Sequence, residues 1–256
     1  MENATLFWPL QSWLQRLPDA PNSASLAALI EKHPVCLADG RPLRFVPPQT
    51  DGMVYECRVW ELGEVETRVD NWHDFFNALV WCRFPASKRA ITAAHVVAMQ
   101  QPGEKRSLRR DALTHFDECG IVVLSSDPAL LDLLRGFQWQ ALFVEHRQAV
   151  IERMRFVVFG HATYEALRTP FRGLTAKAIL LPVSEAFLRQ AVDSLLTAVD
   201  AQLARIIASE TYARPRDFQP LPLLGIPGVT PENEDPAYYT DTFQFRPGRR
   251  QASRAG

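Results

Sequence analysis

The stretch RFVVFGHATYEALRTPFRGLTAKAILLPV, residues 155–183, decides the fold class. Phe156 to Phe159 is apolar and β-prone and predicts a buried strand, which runs through Gly160 into a helix that begins near His161. Ala176 to Leu181 predicts another strand. Since the rest of the chain is rich in helical patterns, we expect an α+β fold in which helices pack on a small mixed or antiparallel sheet.

Outward from this stretch, the sequence predicts several helices. Apolar residues recur with the helical period from Ser184 to Ser209. Pro85 favours the first turn of a helix that runs to about Gln100, and a helical region covers about Asp127 to Glu152. Asn71 is expected to cap a further helix, with Asp74 at its third position in an approximate capping box.

Two other segments predict strands. Tyr55 to Leu62 alternates and is β-prone, with a possible continuation from Glu64 to Val69. Asp111 to Asp117 also alternates, and a short glycine-containing loop separates it from Ile121 to Leu124. This pattern predicts a hairpin.

Both ends of the chain are rich in proline and are expected to be extended. The first fifty residues predict an arm laid over the body, with short helices at Leu10 to Leu17 and Ser23 to Lys32. From Arg214 onward a turn-rich tail is expected. Residues 1–245 are interpreted as one domain and residues 246–256 as a basic, frayed tail. Two small domains with a shared interface are the alternative.

The composition excludes several classes of protein. The chain has 256 residues, of which 47% are hydrophobic, and its formal charge is −1, so no global field attracts nucleic acid. A local basic cluster from Lys105 to Arg110 leaves a nucleic-acid contact open. No segment approaches the roughly 20 apolar residues of a membrane span, and no secretory signal is evident. With four scattered cysteines and no CxxC pair, a cytoplasmic location is expected.

The segment NWHDFFN, residues 71–77, carries the first candidate site residues. At helical spacing His73 and Asn77 share a face. The positive end of the helix dipole disfavours a protonated His73, and a neutral imidazole suits a general base or a metal ligand. The alternative is local, with Asp74 satisfying backbone donors and His73 filling the turn.

The segment RDALTHFDE, residues 110–118, carries the next candidates. On a strand, Asp111, His115 and Asp117 would project from one face. Two carboxylates near an imidazole suit a divalent metal or a division of acid and base roles. The alternative is a solvated strand face, with Asp117 and Glu118 shaping a turn.

In FGHATYE, residues 159–165, a histidine lies where a strand becomes a helix, a common position for sites. His161 and Glu165 have i, i+4 spacing, which suits either a shared ligand or an ordinary surface pair. The predicted catalytic residues are His73, Asp74, Asn77, Arg110, Asp111 and His161, and the predicted ligands of a divalent metal ion are His73, Asp111, Asp117 and His161.

The chemistry expected of this set is hydrolysis of a small anionic substrate oriented by Arg110, either metal-dependent or by acid–base catalysis. The rival hypothesis is a non-catalytic binding or assembly protein that docks through an exposed patch around Trp72, Trp81 and Phe84. His95 is interpreted as a satisfied, partly buried histidine. The oligomeric state stays open.

Four of these strings resemble a known family in combination. Residues 71–77, 110–118 and 159–162 and the turn at residues 225–228 resemble the bacterial domain of unknown function family 3025, over about residues 40–245. The resemblance implies a bacterial origin. It assigns no activity and no catalytic residue, so the site predictions rest on the residues themselves.

Overall fold

The structure is a computed structural model that describes residues 4–15, 23–100, 107–209 and 211–248. Its helices are α1 (Ala4–Phe7), α2 (Gln11–Leu14), α3 (Ser23–Lys32), α4 (Tyr55–Leu62), α5 (Trp72–Arg83), α6 (Pro85–Met99), α7 (Leu108–Cys119), α8 (Pro128–Arg135), α9 (Arg147–Arg153), α10 (His161–Ala166), α11 (Glu185–Leu188) and α12 (Val192–Ala208), with a π-helical turn at Ala141–Glu145. Its strands are β1 (Arg44–Val46), β2 (Glu64–Glu66), β3 (Gly120–Ser125), β4 (Met154–Val158), β5 (Thr175–Pro182) and β6 (Gln219–Pro222).

The larger sheet has the strand order β4-β3-β5-β6. Strand β3 runs parallel to β5 and antiparallel to β4, and β6 is antiparallel to β5. Ile121, Val122, Val123 and Leu124 are all buried, so β3 is covered on both faces and lies at the centre of the core. The predicted α+β class with a small mixed sheet is confirmed.

The apolar core has two parts. The larger cluster surrounds the four-stranded sheet and includes Phe76, Phe116 and Phe159. A smaller cluster lies under the parallel pair β1–β2 and consists of Val35, Leu43, Val59, Val65 and Trp81. Helix α5 joins the two, because Trp81 packs in the smaller cluster while Leu79 and Val80 pack in the larger one.

Two predicted helix starts are confirmed. Asn71 caps α5, since its side-chain oxygen accepts a hydrogen bond of 2.9 Å from the amide of Asp74. The reciprocal half of the capping box is absent from the described contacts, because the Asp74 carboxylate accepts from Arg68 instead. Pro85 begins α6, as its fixed φ angle favours.

Two predicted strands are wrong. Tyr55 to Leu62 forms α4, in which Tyr55 and Val59 lie one turn apart, and Gly63 ends the helix in the left-handed region at φ 68°. Asp111 to Asp117 lies within α7, so the predicted hairpin with β3 does not form. Ser107 caps this helix, and Ala112, Leu113 and Phe116 supply a buried stripe at helical spacing.

The predicted helix from Ser184 to Ser209 is interrupted. Residues 189–191, which separate α11 from α12, are all exposed, so no buried face stabilises helical geometry there. Ala191, which the pattern assigned to the core, has an extended ψ of 144°. The predicted strand from Glu64 to Val69 is shorter than expected and ends at Glu66.

The two ends of the chain are more integrated than predicted. Leu6, Phe7, Leu10 and Trp13 are buried in the larger cluster. In the proline-rich tail, β6 completes an edge of the larger sheet, where prolines are tolerated because an edge strand needs fewer amide donors. Arg246, the first residue of the predicted frayed tail, accepts a hydrogen bond from the Trp139 indole, while residues 249–256 lie outside the described residues.

Candidate metal centre

Three elements bring His73, Glu118 and His161 together. His73 lies in the first turn of α5, Glu118 lies in the last turn of α7, and His161 is the first residue of α10. Their side chains offer ligand atoms that all lie within 4.8 Å of one another. His161 is buried, whereas His73 and Glu118 keep 31% and 38% of their side-chain surface exposed, so the cluster is reachable from solvent.

The distances within this cluster match the spacing of ligands around one ion. The two Nε2 atoms of His73 and His161 are 3.1 Å apart, and the Glu118 Oε2 lies 3.5 Å from His161 Nε2 and 3.8 Å from His73 Nε2. Two ligand atoms at about 2.1 Å from a tetrahedral zinc ion are separated by about 3.4 Å. The three separations are therefore compatible with three ligands of one tetrahedral ion, which would leave a fourth position for solvent or substrate.

The outer nitrogen of each imidazole faces a carboxylate. His73 Nδ1 is 3.1 Å from Glu165 Oε2, and His161 Nδ1 is 4.0 Å from Asp117 Oδ2. The Glu165 carboxylate can accept a hydrogen bond from His73 Nδ1, and in that tautomer His73 Nε2 presents a lone pair towards His161. For His73, this arrangement of carboxylate, histidine and inward-facing Nε2 is typical of metal-ligating histidines, whereas His161 Nδ1 has no hydrogen-bond partner among the described residues.

Glu118 is ionised in this setting. Burial alone would raise the pKa of its carboxyl, but the hydrogen bond and charge of His161, with the charge of His73, hold that pKa below its ordinary value. An ionised carboxylate next to two imidazole nitrogens is a complete first set of ligands for a divalent transition metal.

A glycine contact fixes the backbone that carries two of these residues. Gly160 precedes His161, and its amide donates a 2.8 Å hydrogen bond to the carbonyl of Gly120. A Cβ atom at position 160 would lie 2.4 Å from the Glu118 carbonyl and 2.5 Å from the Gly120 amide nitrogen. Only glycine allows α10 to approach the end of α7 this closely.

A cavity of about 420 Å³ opens beside the cluster. Helices α4, α5, α6 and α7 line it together with β2, and a buried lysine lies in its wall. The Lys88 Nζ donates to Asp117 Oδ1 at 2.6 Å and to the Asn77 side-chain oxygen at 2.9 Å. The Asn77 amide donates in turn to the Tyr55 hydroxyl at 3.1 Å, so one network connects the floor of the cavity.

The predicted site residues divide into two groups. His73, Asp74, Asn77, Asp117 and His161 all line this cavity. Within that group, Asp117 is held by Lys88 and Asp74 by Arg68, so neither carboxylate is free to be a first ligand. Arg110 and Asp111 lie outside the lining, because residues 110–118 form a helix and not a strand. Asp111 precedes Glu118 by seven residues, which is about two helical turns, so it lies on nearly the same side of α7 but roughly 10 Å away along the helix axis.

Several contributors were missed by the sequence patterns. Glu118 was assigned only to a turn, and Lys88 gave no signal, since a lysine in an amphipathic helix is usually a surface residue. His95 was interpreted as satisfied, yet it is 3% exposed and its Nδ1 has no hydrogen-bond partner among the described residues. Glu165 was recognised as a possible partner of His161, but it contacts His73.

Two sequence features suggested a binding or nucleic-acid role: an aromatic patch and a basic cluster from Lys105 to Arg110. Trp81 and Phe84 are buried, and Trp72 stacks on Phe76, so the predicted exposed aromatic patch does not form. Lys105 and Arg106 lie outside the described residues, and the Arg109 guanidinium donates to the carbonyl of Ile207. None of the described helices is long and apolar enough to cross a bilayer.

Comparison with known proteins gives one match. No curated protein and no solved structure matches the chain. A family model described as "Protein of unknown function (DUF3025)" matches residues 43–249, which include all three residues of the cluster. The family resemblance of the sequence is thereby confirmed, and the chain belongs to the DUF3025 family.

Proposed function

We propose that His73, Glu118 and His161 bind one divalent transition metal ion, and that the protein is a metal-dependent hydrolase of a small molecule that enters the cavity. The observation that carries the proposal is the 3.1 Å approach of two Nε2 atoms beside an ionised carboxylate. The 3.1 Å separation also suits a hydrogen bond between the two imidazoles, and the third ligand atom, on Glu118, is what favours a cation at this position. Two histidines and one carboxylate with an open position form a common catalytic zinc set.

The proposed chemistry uses the open position. A metal ion held by His73, Glu118 and His161 would supply a water activated for attack near neutral pH. Water would add to the acyl or phosphoryl centre of the substrate, the bond to the leaving group would break, and the proton released from that water would pass to the leaving group. One water is consumed. Because Asp74 and Asp117 are held by Arg68 and Lys88, a metal-free version of the predicted hydrolase would depend on His73 or His161 as the base.

The test is the metal content of protein purified without chelator or affinity nickel, compared with His161→Ala and His115→Ala variants. His115 is an exposed residue of α7 that does not line the cavity, so it is a matched control. We expect about one metal ion per chain in the parent and in His115→Ala, and loss of the metal in His161→Ala. Chelation of the parent is expected to abolish hydrolysis of small esters and amides.

One result would overturn the proposal. If the parent binds no zinc, manganese or iron on addition and its thermal midpoint does not shift, the two imidazoles share a proton and the centre is not a metal site.

A further inference from the structure

The wall formed by α4 and α6 carries a second polar pair, Glu56 and His95. The two line the same cavity as the metal cluster, and His95 Nδ1 lies 3.9 Å from Glu56 Oε1. Lys88, Thr92 and His95 follow one face of α6, so His95 lies about 10 Å along the helix axis from Lys88. Because His95 is 3% exposed and its Nδ1 lacks a hydrogen-bond partner among the described residues, this pair has hydrogen-bonding capacity that the protein leaves unused.

The charge of the cavity wall is negative. It has two cationic side chains, Arg68 and Lys88, against five carboxylates: Glu56, Glu66, Asp74, Asp117 and Glu118. With neutral histidines, one bound dication would therefore leave a net charge of about −1, which favours cationic over anionic molecules.

Both cations are already neutralised by short contacts. Arg68 Nε is 2.7 Å from Asp74 Oδ2, and Lys88 Nζ is 2.6 Å from Asp117 Oδ1. Arg110, which the sequence suggested for binding an anion, does not line the cavity. The cavity therefore presents no uncommitted cation among its lining residues to an anionic substrate.

Glu56 differs from the other carboxylates. It contacts His95 at 3.9 Å, a distance too long for a hydrogen bond, and the charges of Arg110 and Lys88 also act on that imidazole. Burial lowers the pKa of His95, so at neutral pH the imidazole is uncharged and does not neutralise Glu56. The Glu56 side chain keeps 22% of its surface exposed and can accept hydrogen bonds from a bound molecule.

We infer that the Glu56–His95 wall binds a protonated amine of the substrate, and that the substrate is a small ester or amide that carries this amine. The inference rests on the proposed metal centre, which would hold the carbonyl group while the ammonium group donates to Glu56 and His95. Hydrolysis consumes one water, breaks the acyl–oxygen or acyl–nitrogen bond, and leaves the amine unchanged on one of the two products.

The inference is tested with hydroxamic acids, which bind a metal through one end. Three series of graded chain length carry an ammonium, a methyl or a carboxylate group at the other end, and their affinities for the zinc-loaded protein are measured by calorimetry. We expect the best ammonium compound to bind about tenfold or more tightly than its methyl counterpart, with the carboxylate series weakest. Glu56→Gln is expected to remove this preference and keep the affinity for the methyl series.

Glu61→Gln is the matched control, because Glu61 is an exposed residue of the same helix that does not line the cavity. The preference of the parent protein should also weaken as salt is added, which needs no variant. Equal affinity for the three series, or tightest binding of the carboxylate series, overturns the inference and leaves the metal centre intact. If no hydroxamate binds and no zinc is retained, the proposed function itself fails.

Discussion

Lys88 is a buried charge whose hydrogen bonds are all accounted for. Its ammonium group is 2% exposed, and its three hydrogens have three acceptors at 2.6, 2.8 and 2.9 Å, two on Asp117 and one on Asn77. Burial alone would raise the pKa of Asp117, but the charge of Lys88 holds it below the ordinary value of 3.8. Lys88 therefore keeps Asp117 ionised next to the outer nitrogen of His161.

Replacing Lys88 with methionine leaves Asp117 charged and unpaired in the cavity wall. We expect Lys88→Met to lower the free energy of unfolding by about 3–5 kcal/mol at neutral pH. A second substitution, Asp117→Asn, should recover part of this loss. The measurement is urea unfolding of the two single variants and the double variant.

The pH dependence of this loss has a definite sign. Since the pKa of Asp117 is lowered in the folded protein, the ion pair contributes its full stability above the unfolded pKa, and the contribution is lost as the pH falls through the folded value. In Lys88→Met, burial acts on Asp117 without the opposing charge of Lys88, so its carboxyl takes up a proton more readily than in the parent and the deficit should shrink as the pH falls. Arg189→Met, which removes an exposed pair with Glu185, is the control and should change stability by less than about 1 kcal/mol at either pH. A deficit that is independent of pH would contradict this assignment.

Among the helices, sequence patterns succeeded where a cap or a proline fixes the boundary. Asn71 and Pro85 act locally through their own hydrogen-bond and φ preferences, so α5 and α6 begin where predicted. The errors at α4 and α7 come from short segments whose apolar residues fit a period of two as well as a helical stripe. The choice between strand and helix depends on which side chains are buried against neighbouring elements, and the local sequence does not contain that information.

Helix α12 holds the start of α6 through one buried carboxylate. Asp200 is 5% exposed, and its two oxygens accept hydrogen bonds from the amides of Ser87 at 2.8 Å and Ala86 at 2.9 Å. Ser87 Oγ also donates to Asp200 Oδ1. The carboxylate thus serves as an N-cap that a different helix supplies.

We expect Asp200→Ala to lower the free energy of unfolding by about 2–3 kcal/mol, since it leaves buried donors of α6 without acceptors. Burial raises the pKa of Asp200 above 3.8 in spite of its hydrogen bonds, so the folded protein binds this proton more tightly than the unfolded chain. Stability from this group therefore rises as the pH falls toward 3.8. The difference between parent and variant should grow between pH 7 and pH 4, as measured by thermal unfolding at each pH.

Asp132→Ala serves as the surface control. The Asp132 side chain is 72% exposed and pairs only with Arg135 one turn away, so its removal should change stability by less than about 1 kcal/mol. A larger effect of Asp132→Ala than of Asp200→Ala would show that the contact between α6 and α12 is not what the carboxylate stabilises.

The whole molecule assembles the candidate centre from residues 73, 118 and 161, and only part of that was predictable. His73 and His161 were predicted because each lies at the start of a predicted helix, and helix N-termini are common positions for sites. Glu118 was not predictable, since its direction depends on residues 110–118 being helical. The approach of α10 to α7 depends on the register of β3 against β4, which places Ile121 opposite Val158. Pairing between distant strands leaves no local pattern in the sequence.

The two apolar clusters differ in size, and the cavity lies where they meet. Tyr55 and Glu56 belong to the side that rests on the small cluster of Val35, Leu43, Val59, Val65 and Trp81, whereas Glu118 and His161 rest on the large one. A cluster this small contributes little to cooperativity, so this side should open in partial unfolding events that leave the sheet intact.

Amide hydrogen exchange measures such openings directly. Amides of α4 are expected to exchange with a lower opening free energy than those of β3, and a molecule that bridges Glu56 and the metal cluster should slow exchange in α4 far more than in β3. The wall that would recognise the substrate would then have a lower local stability than the sheet. Part of the free energy of binding would be used to order this wall. The protein would therefore discriminate strongly between substrates by their charge but bind the preferred substrate with only modest affinity.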